Sequence, residues 1–264
     1  MYSRRHFGKL ALGAMAVPVS RFGGVTIGVQ SYSFRDRSLD EAIQAMREIG
    51  LSECELWDGH LKTRAGEPAD LKVVAKKFKD AGITLSAFSY AFRDNQSDAE
   101  IENGFRMARA LGVKIITSSA NVSVTPRVVR FAEKYKITVG MHGHSKIDDP
   151  NEFATPESFE KAMKQSKYIG VNLDIGHFLA GGFDPVAFTE KWASRMTIVH
   201  LKDRKKNLGP NMPFGEGDTP VKEVLQLMKR KKYKFPANIE YEYKGADTVA
   251  EVRKCLEYCR RALA

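Results

Sequence analysis

From residue 25 onward, short apolar runs alternate with longer stretches in which apolar residues recur every three or four positions. Apolar runs bounded by turn residues mark strands, and the longer period marks amphipathic helices. The strands read as TIGVQSYSF (26–34), ECELW (53–57), ITLSAFSY (83–90), VKIITSS (113–119), ITVGMH (137–142), YIGVNLDI (168–175), MTIVHLK (196–202) and PANIEYE (236–242). Helical stretches stand between them: SLDEAIQAMREIG, PADLKVVAKKFKDAG, SDAEIENGFRMARALG, TPRVVRFAEKYK, TPESFEKAMKQSK, DPVAFTEKWAS and TPVKEVLQLMKRKK. DTVAEVRKCLEYCRRALA closes the chain. Several helices open on Ser, Thr or Asp followed by Pro, and several close on glycine, at Gly50, Gly82 and Gly112. Those are start and stop signals.

Eight strands alternating with eight helices predict parallel βαβ units closed into a single-domain (β/α)₈ TIM barrel over residues 25–264. No GxGxxG follows the first strand, which argues against an open dinucleotide-binding sheet. A composition of 43% hydrophobic residues supports one large core. Three cysteines, Cys54, Cys255 and Cys259, form no CxxC pair and read as small buried residues.

Residues 1–24 read differently. Arg4 and Arg5 sit between Ser3 and Phe7, Lys9 follows, a mild apolar stretch runs from Leu10 to Val19, and Ala14-Met15-Ala16 offers a cleavage site. This order predicts a twin-arginine export signal and a periplasmic mature chain starting near Val17. The apolar stretch is too short to span a bilayer. The formal charge is +10, and removing residues 1–16 takes away three basic residues and no acid, leaving +7. That excess suits an anionic substrate or surface without demanding nucleic acid. The basic residues of KVVAKKFK and VRKCLEYCRR read as solvated helix faces.

In a TIM barrel, chemistry collects where strands end. The last four strands end in His142, Asp174, His200 and Glu240, spaced by 32, 26 and 40 residues, each about one βα unit. Alternation puts all four toward one mouth, with Val139, Met141, Val171, Leu173, Val199, Leu201, Ile239 and Tyr241 on the helix side. Two imidazoles and two carboxylates suit one divalent ion of the manganese, cobalt, zinc or ferrous type. A cation beside Asp174 would offset the cost of a carboxylate at a buried strand end. His177 would reach back over the mouth toward a substrate oxygen. Lys202 and His144 share the parity of His200 and His142 and point the same way. Glu55 and Trp57, with Phe34, Phe88 and Tyr90, are expected to face a sugar ring. Lys202 could pair with Asp203 or Glu240, and Arg204–Lys206 read as solvated loop charge.

GVQSYSF, ECELW, DIGH, VHLKD, PFGEGD (213–218) and IEYE occur in that order, and the chain resembles the sugar phosphate isomerase/epimerase family of xylose isomerase-like TIM barrels, which also includes the endonuclease IV fold. The resemblance covers nearly all of residues 25–260, and the leader would place the chain in an exported subgroup. It implies a divalent metal held by strands five to eight. Asp174, His200 and Glu240 match metal ligands, and His177 matches a substrate-binding histidine. The family usually has a glutamate at the end of strand five; His142 stands there instead, which removes one carboxylate from a two-base epimerisation.

The leading expectation is a metal-dependent sugar isomerase or epimerase working through a metal-stabilised enediolate, with Glu240, Lys202 and His177 catalytic and with His144, His177, Glu55, Trp57, Phe34 and Tyr90 binding a small sugar or glycoside. The alternative is a lyase or hydratase that eliminates a β-oxygen from an oxidised (3-keto) sugar or glycoside. Six histidines, one of them His6 in the leader, are too few for the multi-zinc centre of an endonuclease IV-like nuclease. Retention of all four ligands argues against a non-catalytic sugar-binding barrel.

Overall fold

The computed structural model describes residues 20–61, 69–245 and 247–264. The segment expected to act as a twin-arginine signal, with the expected cleavage site, lies outside the described residues. Eight parallel strands form the barrel: β1 (Val25–Gln30), β2 (Glu53–Trp57), β3 (Thr84–Ser89), β4 (Ile115–Ser118), β5 (Thr138–His142), β6 (Ile169–Asp174), β7 (Met196–Leu201) and β8 (Ala237–Ile239). Each pairs with the next, and β8 pairs with β1, which closes the sheet. Closure removes the exposed edges that an open sheet would present. Arg21–Phe22 folds back antiparallel on Val25–Thr26 as a short lead-in. Among the described residues, no helix is long and apolar enough to cross a membrane.

The surrounding helices are α1 (Leu39–Ile49), α2 (Leu71–Asp80), α3 (Asp98–Leu111), α4 (Thr125–Tyr135), α5 (Pro156–Met163), α6 (Ile175–Ala180), α7 (Pro185–Lys191), α8 (Val221–Lys231) and α9 (Thr248–Leu263). Local chemistry explains their ends. Ser38 and Glu41 form a capping box at α1, and Ser97 and Glu100 form one at α3. Such reciprocal bonds satisfy the orphan N–H groups of the first turn. Gly50 and Gly112 close α1 and α3 in the left-handed conformation. Lys136 and Lys232 do the same for α4 and α8, with φ of 53° and 56°.

Two segments depart from the pattern. The first strand ends at Gln30, whose side chain accepts a hydrogen bond from the Tyr32 N–H, and Ser31–Phe34 coil into a 3₁₀ turn. The chain after Asp174 is helical: the Asp174 carboxylate accepts the His177 N–H at 2.7 Å and caps α6.

The core lies between barrel and helices. Val139, Met141, Val171, Leu173, Val199, Leu201 and Ile239 are fully enclosed there. Inside the barrel the filling is polar beneath the mouth, with Glu55, Asn172, Asn238 and His200 buried together. Gly28 makes room for it, because a Cβ there would run into Asn238 Oδ1.

Candidate functional site

Strand register delivers the site. Asp174 on β6 stands beside His200 on β7, and His142 on β5 stands beside Asn172 one pair deeper on β6. Glu240 follows β8 directly, its N–H bonded to Leu201 O. One ligand atom from each of His142, Asp174, His200 and Glu240 lies within 4.8 Å of the other three, and all four residues are buried. Atoms bonded at about 2.0–2.3 Å to one central ion stand about 3.3–4.6 Å apart, depending on geometry, so the four can converge on one cation by modest side-chain adjustment. His142 Nδ1 is buried without a hydrogen-bond partner, and Asp174 Oδ2 is met only by cationic or ring nitrogens, the Lys202 ammonium at 2.9 Å and His177 Nε2 at 3.7 Å. Buried polar atoms are normally paired, and an orphaned imidazole nitrogen beside two buried carboxylates fits a cation centre.

His200 is held on both ring nitrogens. Nδ1 lies 3.1 Å from Glu240 Oε2, and Nε2 lies 2.7 Å from Glu55 Oε2. Glu55 also accepts from the side chains of Gln30, Thr117 and Asn238. This carboxylate behind the imidazole fixes ring orientation and raises ligand basicity.

Lys202 Nζ sits 2.9 Å from Asp174 Oδ2, 3.0 Å from Glu240 Oε2 and 2.6 Å from Glu242 Oε2. Burial opposes its charge, but these three carboxylates outweigh that and raise its pKa. Burial likewise opposes ionisation of Glu240, yet the Lys202 ammonium and the His200 imidazole hold its carboxyl well below the usual range. Burial pushes His142 well below an ordinary imidazole and takes His177 down to about 3. At His177 the Arg204 guanidinium, a donor only, faces Nδ1 at 2.6 Å. The Lys202 ammonium, also a donor only, faces Nε2 at 3.2 Å, so His177 is flanked by a cation at each ring nitrogen, with Nε2 3.7 Å from Asp174 Oδ2.

These groups open into a cavity of about 260 Å³ at the C-terminal mouth, lined among others by Trp57, Tyr32, Arg93, His144, Lys202 and Glu242. Wider hollows, of about 540, 640, 470 and 420 Å³, lie elsewhere and gather no comparable cluster among the described residues. His144 Nδ1 lies 3.0 Å from Glu152 Oε2, and its Nε2 lies 3.4 Å from Ser119 Oγ. Trp57 packs edge-on against Tyr32 at 5.0 Å.

The structure thus brings His142, His144, Asp174, His177, His200, Lys202, Glu240 and Trp57 to one mouth. Four residues expected to face a sugar lie elsewhere. Glu55 is fully buried beneath His200 and supports the imidazole instead of meeting the cavity. Phe34 is fully buried in the core because the 3₁₀ turn after Gln30 breaks the alternation. Tyr90 packs between Phe88 and Phe92 and donates to Glu100 O on α3, and Phe88 is itself core. Arg204 is not solvated loop charge: it clamps His177 and donates to Ser145 Oγ. Lys202 pairs with Glu240 but not Asp203, whose carboxylate accepts the N–H groups of Gly215, Gly217 and Thr219. Glu242 and Arg204 share the parity of Glu240 and of His200 with Lys202, and carrying alternation past the strand ends would have found both. Glu152 and Tyr32 carry no such signal.

Residues 43–262 match the xylose isomerase-like TIM barrel family. The chain is 25% identical over 170 residues to the L-ribulose-5-phosphate 3-epimerase UlaE of Escherichia coli, a match spanning 61% of this chain and 59% of that protein. Among solved structures, 3-keto-D-glucoside 4-epimerase YcjR from E. coli aligns with a TM-score of 0.72 at 14% identity, covering 90% of this chain and 99% of that one. The probable 3-DHS dehydratase AsbF from Bacillus anthracis aligns at 0.69 and 18% identity, covering 88% and 97%. At those identities the two structures speak for the fold alone. The match across most of the chain and the closed eight-stranded barrel place this protein in the xylose isomerase-like TIM barrel family, and the relatives it matches include a sugar-phosphate epimerase.

Proposed function

We propose that the protein is a divalent-metal-dependent sugar isomerase or epimerase. The observation that carries this reading is the convergence of His142, Asp174, His200 and Glu240 within 4.8 Å at the base of the mouth cavity. A manganese-, cobalt-, zinc- or ferrous-type ion held there would act as a Lewis acid on a carbonyl and its neighbouring hydroxyl. The protein's own groups handle binding and protons. His177, held between Arg204 at Nδ1 and Lys202 at Nε2, lines the cavity where a substrate oxygen would bind. Glu240, kept ionised by Lys202 and His200, takes the proton from the carbon beside the carbonyl. His144, oriented by Glu152, approaches from the β5 side, three strands around the barrel from Glu240, and returns a proton. It stands in for the carboxylate that the end of strand five lacks. Trp57 and Tyr32 supply an apolar wall for a sugar ring. The relation to a sugar-phosphate epimerase supports the same direction.

The test is incubation of metal-loaded protein in D₂O with a panel of ketose phosphates, free ketoses and 3-keto-glycosides, followed by NMR. Exchange of a C–H next to a carbonyl, with a new epimer or isomer, is expected. Absence of exchange across the panel from protein that carries metal would overturn the reading.

A β-elimination on an oxidised sugar is the second reading. It is favoured by the Lys202 ammonium standing 3.0 Å from Glu240, where an acid can protonate a leaving oxygen beside the base. Lys202→Met separates the two. If Lys202 is that acid, elimination collapses while C–H exchange survives. If turnover is unchanged, Lys202 leaves the mechanism and isomerisation stands.

We infer export from the Arg4-Arg5 leader, and a neutral or oxidised sugar as substrate follows, since phosphorylated sugars are mainly cytoplasmic. Lysine at both positions should retain the protein in the cytoplasm; a double variant that is still exported efficiently would defeat this.

A further inference from the structure

Lys202 shares its contacts with the residues that would hold the metal. Its Nζ lies 2.9 Å from Asp174 Oδ2 and 3.0 Å from Glu240 Oε2, and both carboxylates belong to the four-residue cluster. The third contact, Glu242 Oε2 at 2.6 Å, belongs to no ligand set. The lysine side chain is 3% exposed and that of Glu242 25%, so Glu242 holds the ammonium from the rim side. Little water reaches Lys202 to screen it. In return, the ammonium compensates carboxylates that would be costly to bury alone. A divalent cation on Asp174 and Glu240 must share those same two carboxylates with a fixed positive charge, and like charges a few ångströms apart oppose each other.

Resting on the metal-centre reading above, we infer that Lys202 sets the affinity of the centre: it is an internal competitor that weakens divalent-cation binding, and Glu242 relieves the competition by drawing the ammonium outward. The role is distinct from proton transfer, because it concerns how tightly the cation is held before any substrate arrives. Linkage makes the effect measurable as a change in metal affinity.

The experiment titrates Mn²⁺ into chelator-stripped wild type, Lys202→Met, Glu242→Gln and the double variant. Free Mn²⁺ is read by electron paramagnetic resonance, and folding is checked by circular dichroism. Lys202→Met is expected to bind Mn²⁺ on the order of 10- to 100-fold more tightly. Glu242→Gln is expected to bind it more weakly, and that loss should shrink in the Lys202→Met background. The cycle isolates the part of the Glu242 effect that passes through the lysine. Equal or weaker binding by folded Lys202→Met overturns the inference and leaves the metal centre intact. No Mn²⁺ binding by any of the four proteins sinks the centre and the inference together. Should Lys202→Met fail to fold, Glu242→Gln decides: weaker binding supports the competition, and unchanged affinity overturns it.

Discussion

Glu55 shows how a single side chain can carry a function that its position in the sequence does not announce. Alternation along ECELW rightly turns it inward, but depth is not written in a period of two. Its carboxylate ends below the mouth, 2.7 Å from His200 Nε2 and bonded to Gln30, Thr117 and Asn238. Partners behind a ligating imidazole typically govern metal affinity by about 10–100-fold. Glu55→Gln, which keeps the shape and loses the charge, is expected to weaken metal binding by at least about tenfold. Calorimetric titration of stripped protein checks this, and an unchanged dissociation constant would reduce Glu55 to barrel filling. The four candidate ligands were legible because each ends an apolar run one βα unit after the last. Phe34 and Tyr90 were misread for a physical reason: aromatic residues suit a core and a sugar wall equally well. Only the break after Gln30 and the packing of Tyr90 on α3 decide between them.

The elements themselves were largely legible. Period, Ser-x-x-Glu spacing and terminal glycines locate α1 and α3, whose caps form as the residues imply. α6 was not, because its start depends on Asp174 turning from a strand residue into a cap. The ends of α4 and α8 carry no glycine. Lys136 adopts the left-handed conformation with φ of 53° at an exposed site, which costs an L-residue roughly 1 kcal/mol. Lys136→Gly is therefore expected to stabilise the fold by at most about 0.5 kcal/mol after the added freedom of the unfolded chain is counted. Thermal unfolding should show a rise of about 1–2 °C. A fall in the midpoint would mean that the lysine side chain contributes more than its backbone costs.

At the scale of the whole molecule, closing the barrel concentrates ionisable groups where water is scarce, and stability becomes a function of pH. His142 and His177 have native pKa values depressed by burial, the latter to about 3. Between that value and about 6.5 the unfolded chain binds protons that the native state refuses, so stability falls as pH falls through this window. His200 is shifted upward despite burial, by Glu55 and Glu240. Its contribution is complete below about 6.5 and is lost only as pH rises. Denaturant unfolding of metal-free protein should therefore show a loss on the order of 1 kcal/mol per pH unit for each depressed imidazole between about pH 6.5 and 4.5. A flat profile there would show that these imidazoles protonate freely in the native state. The barrel and its mouth could be read from strand order; at the rim, Arg204 and Glu242 are reached only by carrying the alternation past the barrel strands, and Glu152, in a loop, has no period to reveal it. The exit of β7 adds a constraint on how this protein can change. Within five residues it presents His200 to the centre, Lys202 to three carboxylates, Asp203 to the 215–219 turn and Arg204 to His177. Substitutions at these positions share neighbours and will not add. Divergence of substrate preference within such a barrel would then proceed by exchanging the HLKDR stretch as a block, and recombination that splits it would yield mostly inactive offspring.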